Sequence, residues 1–153
     1  MIARWTVVFV ASLLLVCTQA SAHANFSGHW LATSGTVTST VGISAKCSRV
    51  EIEIIQTEDV IHTRIYDSTC EPYSSKWGPI TQTIKDGKVF ERGVEVGKIT
   101  DDTMITVSKS GQYQYAYNLK VVTGADGKTQ LMSYYGVKGA IGAMVTEATL
   151  DRL

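Results

Sequence analysis

Histidine, proline and cysteine are scarce in this chain, with three, two and three residues respectively. Each scarcity removes a class of function. Outside the first two dozen residues only His29 and His62 remain, and no Gly-x-Ser-x-Gly elbow accompanies the serines, so no nucleophile constellation is readable. Two histidines would need a carboxylate from elsewhere to hold a metal ion, and no spacing supplies one, so neither a metal nor a cofactor is expected. Charge of one sign is also missing. The 14 Lys and Arg balance 14 Asp and Glu, which leaves no basic field for nucleic acid and no acidic tail. There is no internal repeat, charge block or low-complexity linker to mark a second domain.

Long apolar runs are absent except at the start. Met1 to Arg4 is a short basic segment, Trp5 to Val16 is almost wholly apolar, and Ala20-Ser21-Ala22 and Ala22-His23-Ala24 each offer a small-x-small cleavage site. The run is shorter than the roughly 20 residues that span a bilayer, so it reads as a signal peptide over residues 1–24 rather than a transmembrane anchor. Cleavage after Ala22 fits nearly as well as cleavage after Ala24. Residues 25–153 then form one domain with 13 cationic and 14 acidic side chains, bound for the periplasm or the medium. Cys17 falls in the signal, and Cys47 and Cys70 are left to form one disulfide. The bond closes a loop of roughly two dozen residues, for which chain entropy gives about 3 kcal/mol.

What the chain does have is alternation. Val50, Ile52 and Ile54 face one way and Glu51 and Glu53 the other, as in a strand with one wet face. Glu58-Asp59 turns the chain, and Val60 to Tyr66 returns with Ile61, Thr63 and Ile65 on one face and His62, Arg64 and Tyr66 on the other. That hairpin brings Cys70 back towards Cys47. Glu71 to Pro79 holds both prolines and reads as a loop. Ile80 to Ile84 and Lys88 to Arg92 are strands joined through Lys85-Asp86-Gly87, where Asp-Gly is a strong hairpin signal. Further strands follow: Val94 to Ile99, Thr103 to Ser108, Gln112 to Val122 and Thr129 to Val137. Thr33 to Ser44 fits a long loop or a ragged strand. Ala140 to Leu153 fits either a helix, on the stripe Ile141, Met144, Val145 and Ala148, or a closing strand.

The pattern predicts an all-β domain: one antiparallel up-and-down barrel of about 8–10 strands, with a possible C-terminal helix. Closure removes the exposed edges. An immunoglobulin-type sandwich does not fit, because its Trp lies between its two cysteines, whereas Trp30 precedes Cys47 and Trp77 follows Cys70. Phe-Ser-Gly-His-Trp at Phe26 to Trp30 resembles the Gly-x-Trp element that opens the first strand of lipocalins and related calycin barrels. The resemblance implies that Trp30 packs across the bottom of a cup and that Ala140 to Leu150 corresponds to an outer helix. No Thr-Asp-Tyr element is evident, nor an Arg of the family's type near the last strand.

Tyrosine supplies the most informative row. Tyr113, Tyr115 and Tyr117 share one face with Leu119 and Val121, and Tyr134 or Tyr135 lies near them on the next strand. Phenols bury a large apolar body and keep a polar tip, which suits a mixed cavity or an exposed recognition surface. The expected function is a non-enzymatic exported binding module for a small hydrophobic or lipid-like ligand, with Tyr113, Tyr115, Tyr117, Trp30 and Tyr134 as ligand-binding residues. The alternative is a protein-interaction module, such as a hydrolase inhibitor or envelope-assembly factor, that contacts its partner through the loop over residues 70–79.

Overall fold

The computed structural model describes residues 24–153; apart from Ala24, the expected signal peptide lies outside the described residues. The described chain is strand throughout, with no helix. Its elements are β1 (Gly28–Ala32), β2 (Gly35–Ser39), β3 (Ser44–Cys47), β4 (Arg49–Gln56), β5 (Val60–Thr69), β6 (Ser75–Trp77) and β7 (Ile80–Lys85). Then come β8 (Lys88–Glu91), β9 (Val94–Ile99), β10 (Thr103–Ser110), β11 (Tyr113–Thr123), β12 (Thr129–Gly139) and β13 (Gly142–Arg152). Every neighbour pairs antiparallel, and β1 closes on β13 through Trp30↔Arg152 and Leu31↔Asp151.

Three of the wall strands are interrupted. β1 and β2 both lie along β13, so they act as one bent strand broken at Thr33–Ser34. Their partners β3 and β4 continue each other in the same way, and β6 and β7 lie end to end along β5. Joined like this, the 13 elements make a closed up-and-down barrel of 10 strands. The segment Thr33 to Ser44, open between loop and strand in the sequence, is β2 and the start of β3. The tail is β13 rather than a helix: Leu150, Ala148, Thr146 and Met144 alternate inward, and pairing with β12 along its whole length decides against the helical stripe. The outer helix implied by the calycin resemblance is therefore replaced by a strand.

The disulfide joins Cys47 to Cys70, both buried, where Arg49 pairs with Thr69. The Asp86-Gly87 turn forms as its sequence demands, both residues taking positive φ between β7 and β8. β5 departs from simple alternation. Glu53 pairs with Ile65 but Ile54 pairs with Thr63, so Arg64 is an extra residue. A bulge of this kind reverses the facing of everything beyond it. Ile61 and Thr63 point inward, then Tyr66, Ser68 and Cys70 do, and Tyr66 does not share the outer face with His62. Gly78 sits against the bulge, where an added Cβ would lie 2.6 Å from the Arg64 carbonyl oxygen.

One end of the barrel is sealed. Phe26 and Trp30, both fully buried, lie across it above Ile52, Ile61, Val89, Met104, Leu119, Leu131 and Leu150. The Trp30 indole N–H donates to the Phe26 carbonyl at 2.9 Å. The Arg152 guanidinium sits over the Trp30 ring, 5.2 Å from its centroid, and donates to the Ser27 carbonyl. Gly28 takes φ of +150°, which favours glycine, and a Cβ there would lie 2.8 Å from Arg152 Nε. Arg152, in the last strand, was not singled out in the sequence.

Candidate functional site: an aromatic chamber at the open end

The opposite half of the barrel is built from different residues. Tyr66 enters it because of the Arg64 bulge. Trp77 enters it because β6, in a segment that reads as loop, pairs with β5 through Tyr66↔Trp77. Tyr117 and Tyr135 come from neighbouring strands in direct register, Tyr117↔Tyr135. The four rings form one cluster. Tyr66 stacks on Trp77 at 4.9 Å between centroids, Tyr117 meets the Trp77 ring edge-on at 5.1 Å, and Tyr135 leans on both Tyr66 and Trp77 at 4.9 and 5.5 Å. Such pairs contribute roughly 0.5–1.5 kcal/mol each beyond their buried area.

Beside the cluster lies a cavity of about 330 Å³. Its wall carries Trp77, Tyr115, Tyr117, Tyr135 and Ile80 on the apolar side, and Thr63, Gln82, Thr106, Ser108 and Glu91 on the polar side; Arg92, Lys109 and Ser110 stand at its mouth. Gln82 donates to the Glu91 carboxylate at 3.5 Å, and the Thr106 hydroxyl donates to the Tyr117 carbonyl at 3.3 Å. Polar atoms without a partner gather here. Trp77 Nε1 and the hydroxyls of Tyr117 and Ser133 are buried and meet no hydrogen-bond partner within the protein, whereas the Tyr66 hydroxyl lies close to Thr146 and Ser68. Each such group costs about 1–3 kcal/mol of lost hydration.

The same dryness sets the phenol acidities. Burial pushes the Tyr66 and Tyr117 hydroxyls well above the ordinary phenol range. Tyr135 is raised in the same direction, again chiefly by burial, with Tyr115 adding repulsion and Ser75 opposing it. At neutral pH all three are therefore neutral groups able to donate a proton in a hydrogen bond.

The residues expected from sequence are divided by the fold. Tyr115 and Tyr117 line the cavity. Tyr113 shares their face but stands at the rim, 45 % exposed, with its ring against Gly139. Trp30 belongs to the sealed end and is not among the residues that line the chamber. Tyr134 is a correction: Leu131, Ser133 and Tyr135 take the inward positions of β12, which leaves Tyr134 on the outer face beside Glu147 and Thr149. Of the 70–79 segment, the one large aromatic with a fixed place in the wall, Trp77, turns into the barrel rather than towards a partner. His62 lies outside and bonds Thr81 at 2.7 Å. Trp77, Tyr66, Gln82 and Glu91 were not singled out from sequence. Tyr135 was one of two options, and the phase set by Leu131 would have selected it.

No protein-family model matches the chain, and neither the curated proteins nor the solved structures contain a match to it.

Proposed function

We propose that this protein is an exported binding module that holds a small, largely hydrophobic molecule carrying at least one polar group in the aromatic chamber. The observation that carries the reading is open volume bordered by Trp77 and Tyr117, whose Nε1 and hydroxyl lie buried just behind that wall without a partner. A chamber meant only to be filled would be cheaper with Phe at these places, because a buried polar group with no partner is a net cost. A ligand that lies against the rings and turns the indole or the phenol towards itself recovers that cost. The polar side of the wall, Thr63, Gln82, Thr106 and Ser108, argues for an amphipathic guest over a bare acyl chain. Export is supported by the Cys47–Cys70 disulfide, which belongs to a non-reducing compartment.

The calycin resemblance supports the same reading. Arg152 over the Trp30 ring beside Gly28 is consistent with the closed cup bottom that the resemblance implies.

Native mass spectrometry of protein purified without denaturation tests the proposal. The expected result is an adduct of small mass on the wild-type protein that is lost in Trp77→Ala and retained in Tyr134→Ala. Bare wild-type protein that also fails to bind anilinonaphthalene sulfonate would sink it.

A further inference from the structure

The open end carries a second feature beside the chamber mouth. β2 runs beside β13, with Met144 opposite Ser39, so the β2–β3 and β12–β13 turns project side by side. They are tied by Thr40 N–H to the Ala143 carbonyl at 2.9 Å and by Ala143 N–H to Thr40 Oγ1 at 3.0 Å. Their tips are aliphatic. Ile141 is 94 % exposed and Val41 64 %, and Ile43 and Tyr113 beside them are nearly half exposed. Between them runs an apolar groove of about 320 Å³, floored by Val137, Met144 and Tyr73. Large aliphatics at the ends of turns are costly in water, and their clustering marks a contact surface.

The neighbouring charges indicate what is contacted. Lys109 and Lys138 flank Tyr113 in one depression, and Arg92 shares the next one with Lys109 and Val94. Among the described residues none of these three cations has a salt-bridge partner. The nearby acids are engaged elsewhere: Glu95 is held by Lys88 at 2.9 Å, and Glu91 turns to Gln82. Glu71, in the connection that carries Tyr73, is the acid left to oppose them. The apolar residues sit on two narrow tips, which gives depth rather than the roughly 800 Å² per side that a stable protein pair buries.

We propose that this end docks on an anionic phospholipid bilayer. Val41 and Ile141 enter the interfacial layer with Ile43 and Tyr113, while Arg92, Lys109 and Lys138 meet the headgroups. Docked this way, the chamber mouth, which shares Arg92 and Lys109, opens towards the lipid.

Co-sedimentation with phosphatidylcholine vesicles, with and without phosphatidylglycerol, tests the assignment. The wild-type protein is expected to pellet with the anionic vesicles at low salt. Ile141→Asp is expected to lower partitioning about tenfold, and Lys109→Gln and Lys138→Gln about fivefold each. Circular dichroism melting should leave Ile141→Asp unchanged, because the tip is solvent-exposed. Three results would overturn the assignment: no pelleting with phosphatidylglycerol present, binding indifferent to phosphatidylglycerol or to Ile141→Asp, or a dimer in sedimentation velocity that Ile141→Asp dissolves.

Discussion

Trp30 and Trp77 are the same side chain placed at opposite ends of one barrel. At the sealed end the Trp30 indole is fully buried, its N–H donates to Phe26, and Arg152 covers its face. At the open end the Trp77 N–H is also buried, yet it meets no acceptor, and its ring borders empty volume. The aliphatic residues around Trp30 leave little to hydrate, whereas the wall around Trp77 mixes phenols, hydroxyls and a carboxylate. The difference separates two tasks that a small domain must divide. One end supplies the burial that holds the ring of strands closed, and the other retains unmet hydrogen-bonding capacity that a guest can use.

The contrast is broken most severely at Trp30. Trp30→Ala is expected to cost about 3–5 kcal/mol, because it opens a cavity and strips Arg152 and Phe26 of their partner. Chemical denaturation followed by far-ultraviolet circular dichroism measures this, and a loss under 1 kcal/mol would mean the plug is not the main support. Alkaline titration probes the open end. The buried phenols of Tyr66, Tyr117 and Tyr135 have folded-state acidities shifted above the unfolded value of about 10. Below that pH both states hold the phenol proton and the full stability remains. Above it the unfolded chain releases protons that the folded chain keeps, so stability falls as pH rises. Tyrosinate absorbance should therefore appear in two stages, exposed phenols first and the buried three only together with loss of the fold. A single stage near the ordinary value with the fold intact would contradict the burial. The finest test is Tyr117→Phe, which deletes an unpartnered hydroxyl. Its stability is expected to stay within about 1 kcal/mol of wild type or to rise, while occupancy of the chamber falls; a large destabilisation would show that the hydroxyl has a structural partner.

Much of the wall is written locally. The alternation from Val50 to Ile54, the Asp86-Gly87 turn, the Tyr115-Tyr117-Leu119 row and the Cys47–Cys70 bond each depend on neighbours in sequence or on one hairpin, and each was legible. The chamber was less so, because its phase is set by single insertions. The extra residue Arg64 moves Tyr66 from the outside to the inside, and nothing in the letters from Val60 to Tyr66 announces it. Trp77 sits between a serine-rich stretch and Gly-Pro, which reads as loop, and only pairing with β5 makes it a wall residue. Arg152 is last but one in the sequence, and its role is a long-range contact with Trp30. The tail was ambiguous because Met144 and Ala148 satisfy a helical stripe and a strand alternation equally well. Free edges on both β12 and β2 resolve it.

That last strand sets the timetable of folding. β13 bridges β12 to β1 and β2, so it joins the late strands to the first ones. Until Gly142 to Arg152 is present, an incomplete chain carries raw edges with nothing to dock on, the condition that invites sheet-to-sheet aggregation. The ring is complete only once Gly142 to Arg152 is in place, so every earlier strand stays unlocked until then.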